Sequence, residues 1–213
     1  MSTDDPIIYI VDDDAAIREA LEELLLSHGM LAAAFGSAGD YMGAPKPDLP
    51  ACLLLDVELP DINGLELQRQ IAMGDHPPIV FITGHGDIPS TVRAIKHGAV
   101  DFLIKPFSDA ELMNAIHAAV AQDRERRSQR DEAGALRQRY AALTPRERQV
   151  LPLVVSGLLN KQAAAELGVS EGTLQLHRRN VMQKLGAASL ADLVRLAGRL
   201  GIPVTHSRKT GGS

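Results

Sequence analysis

Two patterns of apolar residues divide this chain. Over residues 7–121, short continuous apolar runs alternate with stretches whose apolar positions repeat at helical spacing. The runs 7–11, 30–35, 52–55, 79–83 and 102–104 carry almost no polar residue, which predicts strands buried on both faces. Between them, residues 15–28 place Ile17, Leu21, Leu24 and Leu25 on one helical face, and 64–73, 89–97 and 108–121 also read as helices. Ser108 and Glu111 make a capping box that opens the last of these. Strands alternating with helices predict an α/β fold: a doubly wound, five-stranded parallel sheet, residues 1–122.

The pattern then changes. Residues 123–142 begin DRERRSQRDEAGALRQRY, with charges of both signs and few apolar side chains. That composition predicts a solvated helical extension or charged helical linker with Gly134 as its weak point. Residues 143–205 predict a small all-α domain. Thr144-Pro145-Arg146-Glu147 is a strong helix start, with a Thr cap, Pro in the first position and Glu in the third. Gly157 ends that helix, and Pro152 within it is expected to kink it. A second helix runs from Asn160 to Gly168, Ser170 caps a third reaching Leu185, and Ser189 caps a fourth. The polar tail 206–213 is expected to be disordered.

Charge separates the same two halves. Through Gln122 there are 6 Lys and Arg against 19 Asp and Glu; from Asp123 onward there are 16 against 8. A basic half suits a polyanion and an acidic half suits a cation. The lone cysteine, Cys52, lies in an apolar run and reads as a buried small hydrophobe, which fits a reducing cytoplasm. Neither a membrane span nor a secretion signal is recognisable, so a cytoplasmic protein with no membrane partner is expected.

Carboxylates stand at the ends of the strands. Asp12 and Asp13 follow the first, Asp56 the third, Thr83 closes the fourth and Lys105 follows the fifth. Ligands of open α/β sheets bind at the carboxyl ends of strands, so these residues should meet on one rim. Clustered carboxylates repel, and a hard cation such as Mg²⁺ relieves the repulsion. A carboxylate there can attack phosphorus, with the metal and an ammonium neutralising the phosphoryl oxygens. Taken singly, each Asp is as easily a turn residue or helix cap.

In the third helix of the basic domain, Leu174, His177, Val181 and Leu185 should face the core, His177 as a packed structural residue. The opposite face carries Gln175, Leu176, Arg179 and Gln183, flanked by Arg178 and Lys184. Gln pairs with adenine, Arg with guanine, and Leu touches a thymine methyl, so this face fits the major groove. Lys161 is placed for a phosphate contact. Gly172 near the start of the helix removes one possible contact.

Together, Ile10-Val11-Asp12-Asp13, Leu55-Asp56-x-x-x-Pro60-x-x-x-Gly64, Thr83-Gly84-His85-Gly86-Asp87 and Lys105-Pro106-Phe107 resemble the flavodoxin-like receiver domain of two-component response regulators, FixJ-type subgroup. Leu143-Thr144-Pro145-Arg146-Glu147, Gly157-x-x-Asn160-Lys161, Leu167-Gly168-Val169-Ser170-x-x-Thr173 and His177-Arg178-x-Asn180-Val181 resemble the LuxR-type helix-turn-helix domain.

The combination resembles FixJ/NarL-type transcriptional regulators. It implies that a sensor histidine kinase phosphorylates Asp56. Asp12, Asp13, Asp56 and the backbone carbonyl of Glu58 would hold Mg²⁺, and Lys105, preceding a cis-Pro106, would contact the phosphoryl group. Thr83 and Phe102 would be the switch pair. The surface from Thr91 to Lys105 would pair two copies, and Lys161, Thr173, Gln175, Leu176, Arg178, Arg179 and Lys184 would touch double-stranded DNA. It implies a regulator, not an enzyme. A signalling protein without DNA output and a metal-dependent phosphatase are the competing readings.

Overall fold

A computed structural model describes residues 5–72, 74–84 and 88–203 of the chain; the side chains of residues 88–90 are not described. The chain folds into two compact units, Met1–Ser128 and Gln129–Ser213.

The first unit is a five-stranded, all-parallel sheet in the order β2-β1-β3-β4-β5. The strands are β1 (Ile7–Val11), β2 (Leu31–Phe35), β3 (Ala51–Asp56), β4 (Ile79–Thr83) and β5 (Asp101–Ile104). Helices α1 (Ala15–Ser27), α2 (Ala38–Gly43), α3 (Gly64–Ile71), α4 (Ile88–Lys96) and α5 (Asp109–Ala141) follow the strands in turn. Strand alternation feeds two cores. Ile8, Ile10, Cys52, Leu54, Val80 and Ile82 face α1 and α5. Tyr9, Val11, Leu53, Leu55, Ile79 and Phe81 face α2, α3 and α4. With both faces covered, β1, β3 and β4 have no polar side, which is why their sequences are continuously apolar. Cys52 is a buried free thiol among these aliphatics.

Strand order reverses between β1 and β3, since β1 leads to β2 on one side and β3 leads to β4 on the other. The carboxyl ends of these two neighbours are where an open sheet leaves a crevice.

One element differs from expectation. Helix α2 is absent from the apolar pattern because it is six residues long and includes Gly39 and Gly43. Its start is held by side chains instead: Ser37 accepts the Asp40 N–H, and Asp61 accepts the Gly39 N–H at 2.9 Å. Helix α5 runs unbroken for 33 residues, through the charged stretch expected as a helical extension or linker. Its residues are good helix formers, and Gly134 costs about 1 kcal/mol without ending it. At Asp123 the helix is tied to the sheet. The buried Asp123 carboxylate accepts the Ala51 N–H at 2.9 Å and the Arg127 Nε–H at 2.7 Å. Arg127 also pairs with Asp48.

In the second unit, the end of α5 packs with α6 (Pro145–Val155), α7 (Asn160–Leu167), α8 (Glu171–Leu185) and α9 (Leu190–Arg199). The core joins Leu136 to Val150, Leu151, Leu174, Val181, Leu185 and Leu193. The helix ends lie where capping chemistry puts them. Thr144 and Glu147 complete a capping box, Ser170 and Ser189 cap α8 and α9, and Gly168 and Gly186 close α7 and α8 at φ of 66° and 74°. Pro152 lies inside α6 without ending it; Ser156 N–H donates to its carbonyl. The tail 206–213 falls outside the described residues.

The Asp123 tie makes a prediction. Asp123→Ala leaves a buried strand N–H unpaired and should destabilise the first unit by about 2 kcal/mol. Urea unfolding monitored by tyrosine fluorescence checks this.

Candidate functional site

Asp12 leaves β1, Asp56 ends β3, Thr83 ends β4, and Lys105 follows β5, so the parallel sheet delivers all four to one edge. Asp12 and Thr83 are fully buried and Asp56 nearly so, whereas Asp13 is exposed. Carboxylate oxygens of Asp12, Asp13 and Asp56 lie within 4.8 Å of one another. Three oxygen donors at that spacing fit a hard divalent cation. The Lys105 ammonium lies between two of them, 2.7 Å from Asp12 Oδ2 and 2.8 Å from Asp56 Oδ2.

The electrostatics follow from burial. Loss of solvent pushes the Asp56 carboxyl above its ordinary 3.8. Hydrogen bonds from Lys105 and from the Glu58 N–H oppose this, and the Asp12 charge adds to it. For Lys105, burial alone would favour the neutral amine. The hydrogen bonds and charges of Asp12 and Asp56 outweigh it and raise its pKa above 10.5.

The backbone around the site is fixed with equal care. Glu58 N–H donates to Asp56 Oδ1 at 2.9 Å, and Asp14 N–H donates to Asp12 Oδ1 at 2.9 Å. Asp14 itself caps α1 by accepting the Ala16 N–H, so of three consecutive aspartates two join the cluster and the third starts a helix. Gly64 N–H donates to the Val57 carbonyl, and a Cβ at Gly64 would collide with the Asp56 carbonyl oxygen. Only glycine lets α3 begin this close to the rim. Lys105 N–H donates to the Thr83 carbonyl at 2.8 Å, and Lys105–Pro106 is cis, as expected. Phe102 is half-buried, its ring 6.0 Å from that of Phe81. His85, Gly86 and Asp87 lie outside the described residues. Arg18 was not anticipated: its Nη1 donates to the Asp12 carbonyl at 2.7 Å. Its signal was available, since the acidic half contains few basic residues and this one follows the aspartates by a helical turn.

In the second unit, the seven residues expected at DNA separate into two groups. Lys161, Thr173, Gln175, Leu176 and Arg179 are exposed on α7 and α8, Leu176 to 54%. Arg178 instead donates to the Asn160 side chain at 3.0 Å, fastening α8 to the start of α7. Gln175, Arg178, Arg179 and Gln183 line one groove with Asn160 and Met182. Lys184, itself exposed, pairs with the buried Glu147 at 2.7 Å. His177 is half-buried.

Comparison with known proteins decides the family. The model of the response regulator receiver domain matches residues 8–117, and that of the bacterial regulatory proteins of the luxR family matches residues 141–197. This chain is a response regulator. It is 48% identical to nodulation protein W of Bradyrhizobium diazoefficiens over 205 residues, covering 96% of this chain and 90% of that protein. It is 46% identical to response regulator protein TodT of Pseudomonas putida over 201 residues, covering 94% of this chain and 88% of that one. Among solved structures, response regulator StyR superposes with a TM-score of 0.81 at 46% identity, covering 92% of this chain and 99% of that chain. A receiver joined to a LuxR-type DNA-binding domain makes this response regulator a transcription factor of a two-component system, and its family is one of regulators rather than enzymes. Among the described residues, no helix is long and apolar enough to cross a membrane.

The Glu147–Lys184 pair sets a pH dependence. Burial alone would raise the Glu147 pKa, but hydrogen bonds from Lys184 and Thr144 outweigh it and hold it below 4.5. A depressed carboxylate stabilises the fold above its unfolded pKa and loses that contribution as pH falls through the folded value. Melting of the response regulator from pH 6 downward should therefore show a drop below about pH 4.5 that Glu147→Gln reduces.

Proposed function

We propose that Asp56 is the phosphoacceptor of this response regulator, within a receiver module of residues 1–122. Residues 123–142 connect it to a DNA-binding module of residues 143–205. What carries the reading is the Lys105 ammonium held between Asp12 and Asp56 at the β1/β3 switch point. An Asp56 oxygen attacks the phosphorus of a phosphohistidine on the partner kinase; the O–P bond forms as the P–N bond breaks, and the imidazole leaves with a proton. Asp12, Asp13, Asp56 and the Glu58 carbonyl would hold Mg²⁺, which would supply positive charge to the phosphoryl oxygens. Lys105 then turns from carboxylate to phosphoryl oxygen, and the Thr83 hydroxyl donates to the same group.

The readout lies at the sheet edge. Thr83 and Lys105 are joined through the backbone, so their movement reaches β5 and the Phe102 ring directly. On the surface beside them, Val92, Ile95 and Ile104 are 43%, 46% and 51% exposed, an apolar patch suited to a second copy of the chain. Pairing two receivers brings two DNA-binding modules to paired half-sites. There Gln175, Leu176 and Arg179 read bases, while Lys161 and Thr173 meet the backbone. Arg178 and Lys184 hold the reading helix in place through Asn160 and Glu147.

The test compares wild type with Asp56→Ala in Mg²⁺, with and without beryllofluoride as a phosphoryl mimic. Beryllofluoride should convert wild type to a dimer and tighten duplex binding at least tenfold, with a steep salt dependence, and should leave Asp56→Ala unchanged. Equal DNA binding by both proteins, indifferent to the mimic, would remove the receiver as the control element.

A further inference from the structure

We propose that Arg18 is a positioning residue for the cation site of Asp12, Asp13 and Asp56, a proposal that rests on the Mg²⁺ reading above. Every polar atom of Asp12 is engaged. Its N–H donates to the Phe35 carbonyl at 3.2 Å, Oδ1 accepts the Asp14 N–H, Oδ2 accepts Lys105, and its carbonyl accepts Arg18 Nη1 at 2.7 Å. One of these holds is in competition with the ligand. Lys105 sits on the two buried carboxylates, Asp12 and Asp56, that a cation would also draw on, so its grip weakens when the site fills. Arg18 grips the carbonyl, which the cation does not need. It therefore holds the β1–α1 turn, and with it Asp12 and Asp13, in the same place whether or not Lys105 stays.

The setting of Arg18 fits this task. It projects from the first turn of α1 and is half-buried. A Cβ built on Gly36 would lie 3.6 Å from its Nη1, so the guanidinium lies flat along bare backbone at the end of β2. A planar fork in that slot is not reproduced by the round, flexible ammonium of lysine.

Charge and position pull in opposite directions here, which makes the sign of the effect informative. A guanidinium near three carboxylates repels an incoming cation, so if Arg18 acted only through its charge, its removal would tighten binding. If it acts by holding the turn, its removal weakens binding, as loss of residues that orient metal ligands typically does by about 10–100-fold.

The experiment titrates the full chain with Mn²⁺, an oxygen-preferring stand-in for Mg²⁺, and reads free ion by electron spin resonance. Thermal melts run in parallel. Arg18→Met and Arg18→Lys should each weaken Mn²⁺ binding about tenfold while melting as cooperatively as wild type. Gly36→Val, which displaces the guanidinium without changing any charge, should weaken it in the same direction and decides the matter if Arg18→Met does not fold. Unchanged or tighter binding in Arg18→Met, or full rescue by Arg18→Lys, overturns the positioning role. Wild type lacking a site that Asp13→Asn removes overturns the cation reading itself, and this proposal with it.

Discussion

The Lys105 ammonium, 2.7 Å from Asp12 and 2.8 Å from Asp56, is the charge that allows two carboxylates to share a buried edge of the sheet. Burial pushes Asp56 toward protonation, and Asp12 pushes it further. The bridging cation opposes both and is itself kept charged by them. The strands behind the edge, β1, β3 and β4, are apolar up to their last residues, and the helices on both faces supply their packing. The result is a poised site. Any species that offers Lys105 a more strongly charged partner at the same spot releases one arrangement and selects another. A phosphoryl group is such a species, and under the proposed switch the backbone link from Lys105 to Thr83 would carry the change to the strand edge.

The second unit solves a different problem with local chemistry. Its helices are short, so their ends matter as much as their core. Thr144, Ser170 and Ser189 supply side-chain caps, and Gly168 and Gly186 close the turns. Helix α7 is the exception: Leu159 stands at its cap with no side-chain acceptor, and only the Gln162 side chain reaches back to the Leu159 N–H. Two internal pairs, Arg178 with Asn160 and Lys184 with Glu147, fix α8 against its neighbours and leave Gln175, Leu176 and Arg179 facing outward.

Much of this was legible in the sequence, for physical reasons that also explain the gaps. Doubly covered strands are continuously apolar, and capping residues stand at fixed offsets, so both could be read one segment at a time. The convergence of Asp12, Asp56, Thr83 and Lys105 followed from a general rule about parallel sheets. Helix α2 was not legible because its six residues are held by Ser37 and the distant Asp61. Whether α5 extends or gives way to a linker was not legible, because a mixed-charge stretch reads as either until Asp123 is seen beneath β3 and Leu136 in the second core. The split within the basic residues of α8 depended on partners, Asn160 and Glu147, that are far away in the chain.

The measurement that bears most directly on the account is the mass of the intact chain after incubation with Mg²⁺ and a small phosphodonor such as acetyl phosphate. Wild type should gain one phosphoryl group that hydroxylamine removes, as it does from an acyl phosphate, and Asp56→Asn should gain none. A phosphoryl group that persists on Asp56→Asn, or a wild type that gains none, would contradict the account.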